Sequence, residues 1–258
     1  YEVMKHSLIT QLIPVAGNED MLANIPHKQI EDLALVYRFS VGRDEHGQST
    51  ILVKNDMLDR YGITAEQLHE DAMMSAPQIE APSMKTLFET TAEIMGEDFF
   101  ELMGEVEPAM PGVYVCTNES KHHGASVLMY PDFMDEVADK LGGDFYIIPS
   151  SIHETLLFPA KDVENYHDLE AMVREVNETQ VAPEERLSDN VYHYDAEAKV
   201  FELAQHHEER IADMEKDSGD RDEKASVLKD LTAKSKEVAE KAPKEHAAPK
   251  KSRAEEAL

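Results

Sequence analysis

The chain has 258 residues, 41% of them hydrophobic, so it can bury an ordinary core and global disorder is excluded. Its 25 basic residues face 53 acidic ones, a formal net charge of −28, and a surface with that field repels phosphate backbones and anionic lipid, which argues against direct nucleic-acid or membrane binding. The single cysteine, Cys116, excludes an internal disulfide framework and a multi-cysteine metal site and fits a reducing compartment, the cytoplasm by default.

The first apolar stretch, Leu8 to Val15, is too short and too interrupted by Thr10, Gln11 and Pro14 to serve as a secretory signal. Residues 1–24 are expected to supply at most a partial first element. Leu33 to Val41 (LALVYRFSV) and Ser49 to Val53 (STILV) are β-branched and aromatic runs across the turn-like Gly42 to Gly47, the grammar of a β-hairpin. A capping pattern, Thr64 with Gln67, predicts a helix from Ala65 to about Ser75 that stops before Pro77, and Ser83 is the expected cap of a second helix carrying Leu87, Phe88 and Met95. Val113 to Thr117 and Ala125 to Tyr130 read as a second hairpin around Asn118 to Gly124. Phe133, Met134, Val137, Ala138 and Leu141 share a helical face that begins after Asp132 and ends at Gly142-Gly143.

Phe145 to Ile148 and Thr155 to Phe158 form a third strand pair, and Val191 to Tyr194 with Val200 to Leu203 a fourth. Between them, Leu169, Met172, Val173 and Val176 make an amphipathic helix of His167 to about Glu178. Short connections demand antiparallel neighbours. The expected architecture is therefore a two-layer α+β domain over residues 1–203, a mainly antiparallel sheet with helices packed on one face. Residues 204–258 read as a charged tail, a short helix followed by a segment too poor in apolar groups to offset its ordering entropy. That tail holds 12 basic and 14 acidic residues, whereas residues 1–203 hold 13 and 39, a net charge of −26. The chain opens on Tyr1 rather than Met, which suggests an upstream part.

The most site-like stretch is Pro149-Ser150-Ser151-Ile152-His153-Glu154 at the junction of two strands. In an extended chain Ser151 and His153 point to one face and Glu154 to the other, so a nucleophile and a base are present while the residue that would orient the base is not. Asn177 or Asp189 would have to supply that help. Turn serines and a structurally satisfied histidine account for the same residues. No G-x-S-x-G elbow is present. His122-His123 and His206-His207 match no metal spacing, and Asp56, Asp59, Glu66, Glu70 and Asp71 lack a calcium-loop framework, so no metal is expected. Cys116 lies in an expected strand, where burial makes a thiol inert; His153 is its one candidate partner. Phosphate-cradling glycine loops and basic patches with interleaved aromatics are absent, so neither a nucleotide cofactor nor a standard nucleic-acid module is expected.

Four blocks carry a family resemblance: IPHKQIEDLALVYRF at Ile25 to Phe39, YGITAEQLHEDA at Tyr61 to Ala72, YPDFMDEVADKLGGDFYIIPSSIHETLLFP at Tyr130 to Pro159, and MVREVNETQVAPEERLSDNVYHYD at Met172 to Asp195. Together they resemble the bacterial family called domain of unknown function 5688, over most of residues 20–203. The resemblance implies a bacterial cytoplasmic domain with further sequence before Ile25, and it transfers no catalytic or binding residue. Two functions are weighed. One is a non-catalytic binding or regulatory protein whose acidic face meets a basic protein; the other is a hydrolase using Ser150, Ser151 and His153.

Overall fold

A computed structural model of the chain describes residues 1–44, 47–96, 112–149 and 151–216. The chain separates into two units, Tyr1–His207 and Glu208–Leu258. Of the predicted tail, residues 204–216 are helical, and the remainder lies outside the described residues. The fold is α+β with antiparallel pairing throughout, and its strands divide between two sheets.

In the first sheet, β3 (Leu33–Asp44) is the spine. β1 (Leu8–Pro14) runs along one edge, from Leu8 opposite Phe39 to Pro14 opposite Leu33. The other edge takes β2 (His27–Ile30) and then β4 (Gly47–Leu52), with a register shift between Ser40 and Gly42. The period of two decides the faces. Leu33, Leu35, Tyr37 and Phe39 enter the main core, whereas Ala34 and Val36 pack with Ile13, Leu22 and Ile25 on the reverse side. Leu22 closes a short helix, α1 (Glu19–Leu22).

The second sheet has the strand order β10-β9-β7-β8-β6-β5. Its members are β5 (Pro82–Thr86), β6 (Tyr114–Asn118), β7 (Phe145–Ile148), β8 (Thr155–Pro159), β9 (Tyr192–Asp195) and β10 (Val200–Leu203). Phe145, Ile147 and Leu157 face the main core, which also receives α3 (Ala65–Ile79) and α5 (Phe133–Leu141). Their alternates Ile148 and Phe158 face α6 (Tyr166–Thr179), through Tyr166, Leu169 and Val173. Two further helices, α2 (Asn55–Tyr61) and α4 (Leu87–Met95), complete the order. Among the described residues no helix is long and apolar enough to cross a membrane.

Several local expectations are corrected. Leu8–Pro14 is a full strand paired over seven residues rather than a partial element. Helix α3 continues through Pro77 to Ile79; proline removes one donor only, and so near the end the helix tolerates it, with Glu80 N–H still bonding to the Ala76 carbonyl at 2.9 Å. Ser83 lies in β5, and the cap of α4 is Thr86, whose Oγ1 accepts from Glu89 N–H at 3.1 Å while the Glu89 carboxylate accepts from Thr86 N–H at 2.8 Å. That reciprocal box outcompetes a lone serine.

The largest correction is at Ala125 to Tyr130, where Gly124–Met129 is a 3₁₀ helix. Gly124, Ala125, Ser126, Val127 and Leu128 are all buried, and an apolar run buried on every side does not reveal its period. Lys121 and His123 have φ of 55° and 52°, so the chain coils here instead of extending. A Cβ on Gly124 would lie 2.5 Å from the His153 carbonyl oxygen and 2.7 Å from Asn118 N, so only glycine lets β6 and residue 153 close on this turn. Ser126 Oγ then donates to the Thr10 carbonyl at 3.0 Å, fastening β1 to the turn.

Candidate functional site

The junction between β7 and β8 is a knot of backbone hydrogen bonds. Ser151 Oγ accepts from His153 N–H at 3.0 Å and from Glu154 N–H at 3.3 Å, the geometry of a serine turn. Buried Ile152 bonds through its N–H to the Glu185 carbonyl at 2.9 Å and through its carbonyl to Ala125 N–H at 3.2 Å. Thr117 Oγ1 donates to the His153 carbonyl at 2.7 Å. The His153 ring is fixed as well: Nδ1 accepts from His123 N–H at 3.1 Å, which leaves the proton of the neutral ring on Nε2, 3.6 Å from the Glu185 carboxylate. A histidine held in this tautomer has no free nitrogen to take a proton from Ser151. Glu154 is exposed, and Ser150 lies outside the described residues.

Asn177 and Asp189 meet each other, not His153. Asn177 Nδ2 donates to Asp189 Oδ1 at 2.7 Å and to the Ser188 carbonyl at 2.9 Å. These bonds pin the segment before β9 to α6. The same segment is clamped to the first sheet by Asp32, whose Oδ2 accepts from Ser188 Oγ at 2.8 Å and from Asn190 Nδ2 at 3.0 Å, while Tyr192 Oη donates to its Oδ1. Burial and the Asp32 carboxylate both push the Tyr192 hydroxyl far above its ordinary pKa. The residues of the motif REVNETQVAPEERLSDN thus lock the two sheets together.

Cys116 is fully buried in the main core and its thiol is pushed up to about 12 by burial. Its neighbour Thr117, rather than the thiol, holds residue 153.

The sequence did not reveal a histidine cluster. His122, His123 and His153 have ring centroids 4.0, 5.1 and 5.6 Å apart. Adjacent residues point apart on a regular strand, but the left-handed backbone at Lys121 and His123 turns both rings toward residue 153. Burial, then His122, His153 and Arg38, press the His123 ring down to about 3, so it is neutral at pH 7. Among the described residues no group of three His, Cys, Asp or Glu side chains is placed to hold a metal ion.

A concave site lies elsewhere. A cleft of about 300 Å³ opens between the end of β8, the loop after it and α6. Val113, Phe158, Leu169 and Met172 form its apolar floor, and Asp162, Glu164 and Asp168 stand on its rim. The local fold explains each position. Asn165 caps α6 by accepting from His167 N–H at 3.2 Å, which starts the helix at the cleft mouth and turns Leu169 and Met172 inward. The nearest basic residue in the loop, Lys161, is turned away, donating to the Leu141 carbonyl at 3.2 Å. Gly112, with φ of 90°, approaches so closely that a Cβ there would lie 3.0 Å from Asp162 Oδ2. The periodicity of α6 showed its apolar stripe, but not that the buried Leu169 and half-buried Met172 also line a cleft.

Comparison with known proteins adds a family and no more. No curated protein and no solved structure matches the chain. Residues 1–196 match one family across β1 to β9, including the Asp32 clamp, the coiled turn at Gly124 and the cleft, and the chain belongs to that family, the family of unknown function DUF5688.

Proposed function

We propose that this is a non-catalytic binding or regulatory protein of the bacterial cytoplasm, and that it engages a basic partner protein through the cleft beside α6. The observation that carries the reading is the pairing of an apolar floor with a carboxylate rim: Val113, Phe158, Leu169 and Met172 beneath Asp162, Glu164 and Asp168. A volume of about 300 Å³ is at the small end of ligand sites, and suits one or two protruding side chains better than a whole cofactor. Lysine and arginine have the matching shape, an apolar stem that lies along the floor and a cation that meets the rim. The net charge of −26 on residues 1–203 adds long-range steering toward such a partner. The Ser151 hydroxyl is engaged by two backbone N–H groups and His153 has its Nδ1 occupied, which removes the main support for a hydrolase.

The test is calorimetric titration with a peptide of alternating leucine and lysine or arginine, at low and at moderate salt. Binding should be salt-sensitive and should weaken about tenfold in the Asp162→Asn, Asp168→Asn double variant, the loss of roughly 1.4 kcal/mol. Binding that ignores these substitutions would place the partner elsewhere and sink the reading.

A further inference from the structure

Among the described residues His193 is the most deeply buried imidazole, and its setting is unusual. It sits on β9 between Tyr146 of β7 and Glu202 of β10, directly opposite both in register, and is 2% exposed. The Tyr146 ring meets it edge-on at 4.9 Å. On its other side the His207 ring stacks at 3.7 Å between centroids, 21° from parallel. His207 comes from the first helical turn after β10, residues 204–207, and the stack joins the Ala204 N–H bond to the Val191 carbonyl at 2.9 Å in tying that turn to the sheet. His193 Nδ1 is buried with no hydrogen-bond partner, and Nε2 stands 3.8 Å from the Asp144 carboxylate.

We propose that the His193–His207 stack is an acid-sensitive latch, which holds residues 204–207 on the second sheet at neutral pH and releases them when His193 takes up a proton in mildly acidic solution.

The charged surroundings set the direction. Three carboxylates face the pair: Asp144 from the start of β7, Asp195 from β9 and Glu202 from β10, the last 3.3 Å from His207 Nδ1. Two are already committed. Asp195 Oδ1 accepts from Glu197 and Ala198 N–H at 3.1 and 2.8 Å, and Asp144 Oδ1 accepts from Ala196 N–H at 2.9 Å. Beside the pair, His206 faces Glu31 at 3.0 Å, and beyond Tyr146 lie Tyr166 and His167 of α6. Against these attractions stand burial and the second imidazole, and they prevail, holding His193 at about 4 where an exposed histidine titrates at 6.5. The closed latch therefore prefers a neutral His193, and the open one lets that ring ionise freely. Closure is fully favoured above pH 6.5 and weakens as pH falls from 6.5 toward about 4. One extra proton in the open form shifts the balance on the order of tenfold per pH unit.

The experiment is hydrogen exchange on the full chain, read by mass spectrometry and corrected for the intrinsic effect of pH. Between pH 6.5 and 5.5, the opening of amides 204–207 should rise about fivefold while those of β7 stay protected. His193→Phe, which keeps a ring against His207 but takes up no proton, should abolish the step. In the unmodified protein, NMR titration should show the His193 ring titrating below 6.5, a readout that needs no variant to fold. Protection that is constant across the range, loss that coincides with β7, an acid step that survives in His193→Phe, or His193 titrating near 6.5 would each overturn the latch.

Discussion

Replacing Asp32 should cost more stability than any other change at a partly exposed carboxylate in this chain. Asp32 sits in the turn between β2 and β3 and accepts three hydrogen bonds from the segment that leads into β9: Ser188 Oγ, Asn190 Nδ2 and Tyr192 Oη. Tyr192 is fully buried, so its hydroxyl has no water to turn to. Hydrogen bonds to a charged acceptor contribute about 1.5–3 kcal/mol each when buried. Two of the three lie nearer the surface, where solvent takes over part of the loss. Asp32→Ala should therefore destabilise by about 3 kcal/mol, most of it from the stranded Tyr192 hydroxyl. Urea unfolding at pH 7 measures this, and Tyr192→Phe completes a double-mutant cycle. The phenylalanine removes the orphan, so the coupling between the two sites should be about 1–2 kcal/mol. Additive losses, or an Asp32→Ala variant within 0.5 kcal/mol of the parent, would refute the claim that this carboxylate clamps the two sheets.

Other expectations follow from the same geometry. Gly124→Ala forces a methyl against two backbone atoms, the His153 oxygen and Asn118 N, and should cost more than about 2 kcal/mol in thermal or urea unfolding. His123 is kept neutral with its pKa at about 3, so stability should be full above pH 6.5 and fall steadily below it; His123→Asn, which tolerates the left-handed backbone, should flatten that slope by on the order of 2 kcal/mol after allowance for solvent screening. Cys116 should be silent to a thiol reagent in the folded protein at pH 8 and react at once in urea, because it is fully buried and its thiol is pushed up to about 12; rapid labelling of the native state would contradict the packing of β6.

The parts of the fold that were legible in the sequence are those whose signal is local. The β3–β4, β7–β8 and β9–β10 hairpins announce themselves by alternating apolar residues and short turns, and α5 and α6 by an apolar stripe, with a stop at Gly142 for α5. What was not legible depends on distant partners. Alternation shows that Leu33 and Phe145 point inward but not that they belong to separate sheets. Gly124 reads as an ordinary turn glycine until Thr117 and His153 are seen to close on it. The residues of the motif around Ser151, His153, Asn177 and Asp189 stand out by composition, yet in the structure they fasten loops, and the meaning of Ser188 and Asn190 emerges only once Asp32 is found opposite them. The cleft was hidden for the same reason: Leu169 and Met172 look like core, and only the packing of α6 beside β8 shows that they also line a cleft.

The central claim is that the cleft beside α6 takes basic side chains, and the most direct measurement is NMR of the full chain during titration with a leucine- and arginine-bearing peptide. The Met172 methyl and the amides of residues 162–169 should shift first and saturably, and the shifts should vanish in the Asp162→Asn, Asp168→Asn variant. Saturable binding that leaves those signals in place would contradict that claim.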